Sequence, residues 1–97
     1  MSESSAALGD HSIPYLPRGV RLRYDETREH WSLLGPERVF KLDQVSLEIL
    51  KRCDGEATLT AIIADLAVAF EERPETIDPD VRAFLQDMQA RAMLTFK

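Results

Sequence analysis

The sequence contains little of what metal, redox and membrane functions require. Its single cysteine, Cys53, has no second thiol with which to form a disulfide, and no histidine lies near it at the spacing of a zinc site. No apolar run approaches the roughly 18 to 20 residues of a membrane span, and residues 1–10 lack the basic and apolar regions of a secretory signal. We therefore expect a cytoplasmic protein without a metal, another cofactor or a membrane partner, with Cys53 as a small core residue.

The chain also lacks the length and the positive charge that other functions need. Its 97 residues suffice for one small domain, which leaves little room for an enclosed reaction chamber. No paired carboxylates, phosphate-binding loop, or nucleophile with a base stand at a meaningful spacing, so an enzyme is not expected. The net charge is −5, and the acidic residues concentrate after residue 52. A nucleic-acid binder needs a concentrated basic face, which this chain has only weakly.

The first half of the chain has the alternating pattern of β-strands. Residues 1–17 show no periodicity, which predicts a flexible N-terminal arm ahead of a domain spanning residues 18–97. Beyond the arm, apolar side chains recur at every second position in residues 20–24, 30–34 and 38–42. Polar turns separate these segments. The pattern predicts three consecutive antiparallel strands.

In the second half, the period of the apolar residues changes to that of α-helices. Asp43 and Thr58 are suited to cap the first two helices, and Val45, Ile49 and Cys53 share one stripe of the first. For the third helix, Asp78 is the predicted cap and Pro79 the first helical residue. Its predicted apolar stripe consists of Val81, Phe84, Leu85, Met88 and Ala92. Three strands followed by three helices indicate an α+β domain with a winged-helix-like arrangement.

Two functions suit such an arrangement. A winged helix that regulates transcription would bind DNA through the third helix, but that helix carries more aspartate than arginine, which opposes binding to a polyanion. The third strand lies at one edge of the sheet, where unpaired backbone groups are either covered by a helix or available to another extended chain. The pattern alone leaves these two interpretations of the edge open. A free edge also leaves open the formation of a homodimer.

The order of several short motifs resembles the PqqD family of pyrroloquinoline quinone biosynthesis. The motifs are Val20-Arg21-Leu22, Trp31 to Leu34, Pro36-Glu37-Arg38-Val39, Leu42, Ile49-Leu50, Cys53-Asp54-Gly55, Thr58, Asp80-Val81 and Phe84-Leu85. The resemblance implies a non-catalytic peptide chaperone with three strands and three helices. It also implies that the chaperone binds the leader part of a ribosomally made precursor peptide. A radical S-adenosylmethionine enzyme of the same pathway then receives that peptide.

The resemblance also implies where the peptide binds. The leader peptide would be added as a strand beside the third strand, with the third helix as the other wall of the groove. The corresponding peptide-binding residues are Arg38, Val39, Phe40, Lys41 and Leu42 on the strand, and Val81, Arg82, Leu85 and Met88 on the helix. Arg21, Arg23 and Asp54 are candidate docking residues for the enzyme. A solvated strand face is an equally open interpretation of Arg21 and Arg23, and the Asp54-Gly55 turn is an adequate explanation of Asp54.

Overall fold

The computed structural model describes residues 8–97, which form two small antiparallel sheets and three helices. The predicted α+β class, with a three-stranded antiparallel sheet followed by three helices, is confirmed. In chain order the elements are β1 (Pro14–Tyr15), β2 (Arg21–Asp25), β3 (His30–Leu34), β4 (Val39–Lys41), α1 (Gln44–Lys51), α2 (Leu59–Phe70), α3 (Pro74–Ala90) and β5 (Thr95–Phe96).

The three-stranded sheet has the order β2-β3-β4 and covers the core with one of its two faces. Leu22, Leu33 and Phe40 form a cross-strand row on that face, and Leu33 at its centre is fully buried. Buried side chains of the three helices pack beneath this row, among them Leu50, Leu66 and Leu85. On the opposite face, Arg21 and Arg23 of β2 and Val39 and Lys41 of β4 are exposed, as the alternation along the strands predicts.

The predicted caps of the first two helices are confirmed. The Asp43 side chain accepts a hydrogen bond from the Ser46 N–H at 2.7 Å, and the Thr58 hydroxyl accepts one from the Ala61 N–H at 3.2 Å. Each cap satisfies one of the N–H groups that the first turn of a helix leaves without a partner. These short-range contacts fix where α1 and α2 begin.

The predicted start of the third helix is wrong. The helix begins at Pro74 with Arg73 as its N-cap, and Pro79 lies inside it. Pro74 occupies the first position, where a missing N–H costs nothing. The helix continues through Pro79 because apolar residues on both sides of it, Ile77 and Val81, pack against the same core.

None of the helices in the described part of the chain is long and apolar enough to cross a membrane.

Two members of the predicted helical stripes do not face the core. Val45 is 54% exposed, so the buried side of α1 consists of Leu47, Ile49 and Leu50 instead. Ala92 lies beyond the end of α3 with a positive φ of 61°. The chain turns sharply there, which places the following Met93 in the core.

Residues 8–17 are packed on the domain, so the predicted separation of an arm at residue 17 is not observed. β1 pairs with β5, and the Leu8 side chain is buried. The backbone carbonyls of Asp10 and Ser12 accept hydrogen bonds from the N–H groups of Thr60 and Leu59 at the start of α2. This segment therefore satisfies two N–H groups of the first turn of α2. Residues 1–7 of the predicted arm lie outside the described residues.

Candidate functional site

The outer edge of β4 is open within the described part of the chain. β4 pairs only with β3, in a register that places Phe40 opposite Leu33. The Gly35 N–H donates to the Arg38 carbonyl, and the Leu42 N–H donates to the Trp31 carbonyl, both at 2.9 Å. In an antiparallel pair the hydrogen-bonded positions alternate, so residues 38, 40 and 42 point their backbone groups at β3. The backbone groups of Val39 and Lys41 consequently point away from the sheet.

The side chains of β4 divide between the two faces of the sheet. Phe40 and Leu42 are partly buried and pack against the core. Val39 is 69% exposed and lies with Lys41 on the opposite face. An extended chain paired with this edge would therefore alternate between an apolar environment and a polar, basic one.

The predicted helical wall of the groove is wrong for the three apolar residues. Val81, Leu85 and Met88 are at most 6% exposed and form the core itself, so a peptide cannot reach them without opening the domain. These side chains belong to the structure that holds α3 in place. A helical stripe of apolar residues is the usual signature of a core face, and the same pattern gives no sign of an additional ligand.

The C-terminal end of α3 lies beside β4. Phe84 is partly buried at the edge of the core, and Arg91, seven positions later, shares its side of the helix. The Arg91 guanidinium lies 5.6 Å from the centre of the Phe40 ring. The Arg38 side chain donates to the Arg91 carbonyl at 3.3 Å, so this end of the helix is joined to the edge strand. Sequence reasoning missed Phe84 and Arg91, although their spacing of seven was visible in the sequence.

Arg82 is engaged elsewhere. Its Nε donates to Asp78 at 2.7 Å, and its Nη2 donates to Asp10 at 2.5 Å. A third hydrogen bond reaches the Leu8 carbonyl at 3.3 Å. The hydrogen bonds to Asp78, and next to Asp10, raise the pKa of the Arg82 guanidinium above its usual value. Arg82 fastens residues 8–10 to α3 and is not free to bind acidic residues of a peptide.

The three candidate docking residues do not form one surface. Arg21 and Arg23 are exposed on the outer face of the sheet. The Asp54 carboxylate accepts hydrogen bonds from the N–H groups of Glu56 and Ala57, at 2.9 and 3.1 Å, and these bonds lower its pKa. Asp54 is therefore explained by the turn between α1 and α2.

Cys53 is the core residue that its position predicts. It is 5% exposed, and its Sγ donates to the Ile49 carbonyl at 3.4 Å. Burial, and to a smaller extent the nearby Asp54, raises the pKa of the thiol to about 12. The thiolate that nucleophilic or redox chemistry needs is therefore not formed near neutral pH. Within residues 8–97, no group of three His, Cys, Asp or Glu residues is placed to hold a metal ion.

A small α+β domain whose sheet ends in an open edge beside a helix has the architecture of a peptide-recognition domain. The comparisons with known proteins give the particular family. A family model described as "Coenzyme PQQ synthesis protein D (PqqD)" matches residues 30–94, which include β3, β4 and all three helices. The chain belongs to this family.

Curated relatives and solved structures agree with this assignment. A "PqqA binding protein" of Rhodopseudomonas palustris (strain HaA2) is 41% identical, with 98% of this chain and 93% of the relative covered. A protein of the same description from Rhizobium meliloti (strain 1021) is 38% identical, with 97% and 96% covered. The solution structure of the PqqD truncation of Methylobacterium extorquens PqqCD superposes with a TM-score of 0.78 at 36% identity, covering 95% of this chain and 98% of that one. That protein is described as a functional, stand-alone recognition element for ribosomally synthesized and post-translationally modified peptides.

The crystal structure of PqqD from Xanthomonas campestris is similar over a smaller part. Its TM-score is 0.55 at 36% identity, with 80% of this chain and 87% of that one covered.

Proposed function

We propose that this chain is a non-catalytic peptide chaperone that binds the leader part of the PqqA precursor as a strand added to β4. It presents the bound precursor to the radical S-adenosylmethionine enzyme of pyrroloquinoline quinone biosynthesis. The observation that carries the proposal is the open edge of β4, where the backbone groups of Val39 and Lys41 point away from the sheet. The description of the relatives as PqqA binding proteins supports it. Because the precursor is made on ribosomes, we place this step in the cytoplasm.

Backbone pairing supplies only part of the affinity. Val39 and Lys41 offer two N–H groups and two carbonyls to an added strand. At roughly 0.5 to 1.5 kcal/mol each, four hydrogen bonds contribute about 2 to 6 kcal/mol. Micromolar affinity corresponds to about 8 kcal/mol, and binding must also offset the ordering of the peptide. Side-chain contacts of the peptide therefore have to contribute the remainder.

Those contacts are available on the inner side of the edge. Phe40 and Leu42 are partly exposed at the rim of the core, and Phe84 lies on α3. Every second residue of the added strand points to this side, so apolar residues are expected there in the leader. At the end of the groove, the Arg91 guanidinium lies over the Phe40 ring and is paired with Asp87, so it borders the groove as part of an ion pair.

DNA binding, the alternative for this fold, is opposed by the structure of α3. The three arginines at this helix are already engaged: Arg73 with Glu75 at 2.8 Å, Arg82 with Asp78 and Asp10, and Arg91 with Asp87 at 3.1 Å. The extended helix also includes four acidic residues, Glu75, Asp78, Asp80 and Asp87. A recognition helix with this charge would repel a phosphate backbone.

The experiment is an amide-shift titration of isotope-labelled protein with the leader half of PqqA, and with a scrambled peptide of the same composition. We expect shifts centred on β4 and on the part of α3 around Phe84 for the leader, and weak or scattered shifts for the scrambled peptide. Raising the salt concentration should weaken this complex far less than a DNA complex, which loses affinity steeply through its phosphate contacts. Equal responses to both peptides, or none to either, would contradict the proposal.

A further inference from the structure

The outer face of the three-stranded sheet carries a concentration of basic side chains. Arg23, Arg28 and Lys41 line a shallow depression of about 380 Å³ on this face. Arg21 lies beside them, two residues before Arg23 on the same side of β2. We call these four residues the basic face.

The charges of the basic face are not neutralised within the domain. In residues 8–97, none of its four cations lies within 4.0 Å of a carboxylate, whereas the other ion pairs of the molecule lie on its helices and the N-terminal segment. The depression contains one carboxylate, that of Asp25. It accepts hydrogen bonds from the N–H groups of Arg28 and Thr27, at 3.1 and 3.0 Å, so the turn uses it. The four cations and this carboxylate together carry a charge of +3, in a chain whose net charge is −5.

A hydroxyl group lies at the centre of the basic face. Ser32 is the direct cross-strand neighbour of Arg23 on one side and of Lys41 on the other. It is only 6% exposed, although it is on the side of the sheet away from the core. Its one side-chain partner in the described part of the chain is His30 Nδ1, at the limiting distance of 3.5 Å. The two cations on either side of this small residue suit a carboxylate, which accepts several hydrogen bonds at once.

The basic face remains accessible when a strand is added to β4. Neighbouring strands lie about 4.8 Å apart in the plane of the sheet, so the added strand extends the sheet sideways. Arg21 and Arg23 are on β2, two strands from β4 and roughly 10 Å away from it. A peptide at the edge therefore leaves these arginines uncovered.

We propose that the basic face docks an acidic surface of the enzyme that acts on the bound peptide, with an aspartate or glutamate carboxylate of that enzyme seated between Arg23 and Lys41. This inference rests on the proposed function, because it assumes that the edge of β4 holds the peptide. An acidic protein surface is favoured over nucleic acid because the rest of the molecule is strongly negative. A folded protein can meet a small basic face with a few carboxylates, whereas a long polyanion would also approach the acidic helices.

The test compares two charge reversals of equal size on the full chain. Arg23→Glu changes the basic face without touching β4, and Arg73→Glu is the control at the exposed N-cap residue of α3, which pairs with Glu75. Arg23→Lys keeps the charge. Binding of each variant to the radical S-adenosylmethionine enzyme, to the PqqA leader and to a DNA duplex is measured by calorimetry, and folding is checked by circular dichroism. If Arg23→Glu does not fold, Arg23→Gln takes its place.

We expect Arg23→Glu to weaken enzyme binding by about tenfold or more, since it sets like charges against each other. Arg73→Glu and Arg23→Lys should retain most of that binding, and all variants should bind the leader like the unchanged protein. The inference is overturned if the two charge reversals bind the enzyme with equal affinity, or if the unchanged protein does not bind the enzyme. It is also overturned if the unchanged protein binds the DNA duplex and Arg23→Glu abolishes that binding. If the unchanged protein does not bind the leader, the proposed function itself is refuted, so the two failures are distinguishable.

Discussion

Replacing Val39 by proline tests whether the peptide adds to the edge of β4. The Val39 N–H points away from β3, so its removal breaks no hydrogen bond of the existing sheet. Proline is tolerated on edge strands for this reason. In the complex, however, proline removes one donor to the peptide and places its ring toward the added strand. Val39→Ala is the matched control, because it loses the same exposed side chain and keeps the N–H.

The expected effects on folding and on binding differ in size. The free energy of unfolding should change by no more than about 1 kcal/mol, because the substitution is exposed and no ladder bond is lost. In the complex, a carbonyl of the peptide loses its partner, which costs about 1 to 3 kcal/mol. The Kd for the leader should therefore rise about 5- to 150-fold.

The measurement is fluorescence anisotropy with a labelled leader peptide, with thermal unfolding of each variant as the check on the fold. Val39→Ala should bind within about threefold of the unchanged protein, since a small exposed side chain contributes little. If the proline and alanine variants are both folded and bind the leader with the same Kd, the peptide does not pair with this edge.

Two further predictions concern the stability of the domain. Arg82→Met should lower the Tm by several degrees, because it removes the ion pairs with Asp10 and Asp78, and each kcal/mol corresponds to about 4 to 8 °C in a domain of this size. It should also speed amide exchange at Leu59 and Thr60, whose N–H groups donate to the N-terminal segment. Arg73→Met should do neither. The hydrogen bonds from the Ser46 N–H, and next from its hydroxyl, hold the pKa of Asp43 below its usual 3.8. The stability from this cap is complete above pH 3.8 and is lost as the pH falls through the lower folded-state pKa. Asp43→Asn should therefore reduce the loss of stability below pH 4, measured by urea titration at a series of pH values. If the free energy of unfolding of the variant falls below pH 4 as steeply as that of the unchanged protein, this reasoning is contradicted.

Local sequence determined those parts of the fold that were predicted correctly. Asp43 and Thr58 each satisfy an N–H three residues away, so their role depends on nothing distant. The strands were recognisable because one face of the sheet is buried and the other is not, which imposes the alternation. The plainest example is Leu33, which is buried opposite Leu22. Arg21 and Arg23, on either side of Leu22 in the sequence, are exposed.

The errors in the third helix and in the N-terminal arm involve contacts between distant parts of the chain. Asp78 and Pro79 have the local features of a helix start, but packing of Ile77 and Val81 on the core carries the helix through them. β1 and β5 have only two residues each, and their pairing depends on the two ends of the described chain meeting in the fold. No pattern within so short a segment can indicate such a partner.

The same limit explains the candidate site. The edge of β4 could be predicted because its place in the sheet follows from the order of the strands. The residues of α3 that line the groove could not be predicted, because Leu85 in the core and Phe84 at the rim are neighbours in one apolar run. Which of them meets a ligand depends on where the sheet crosses the helix. Arg91 was not among the predicted site residues, although its guanidinium lies over Phe40.

The edge and the basic face share Lys41, and this connects the two proposed partners. Its backbone belongs to the edge of β4, while its side chain lines the depression around Ser32. A leader residue beside Lys41 on the outer side of the added strand lies within reach of its ammonium group. An acidic residue at that position would strengthen peptide binding but neutralise part of the charge that docks the enzyme. A neutral residue would leave Lys41 available to both. Because chaperoning requires the two partners to be bound together, the neutral residue is the one that this geometry favours.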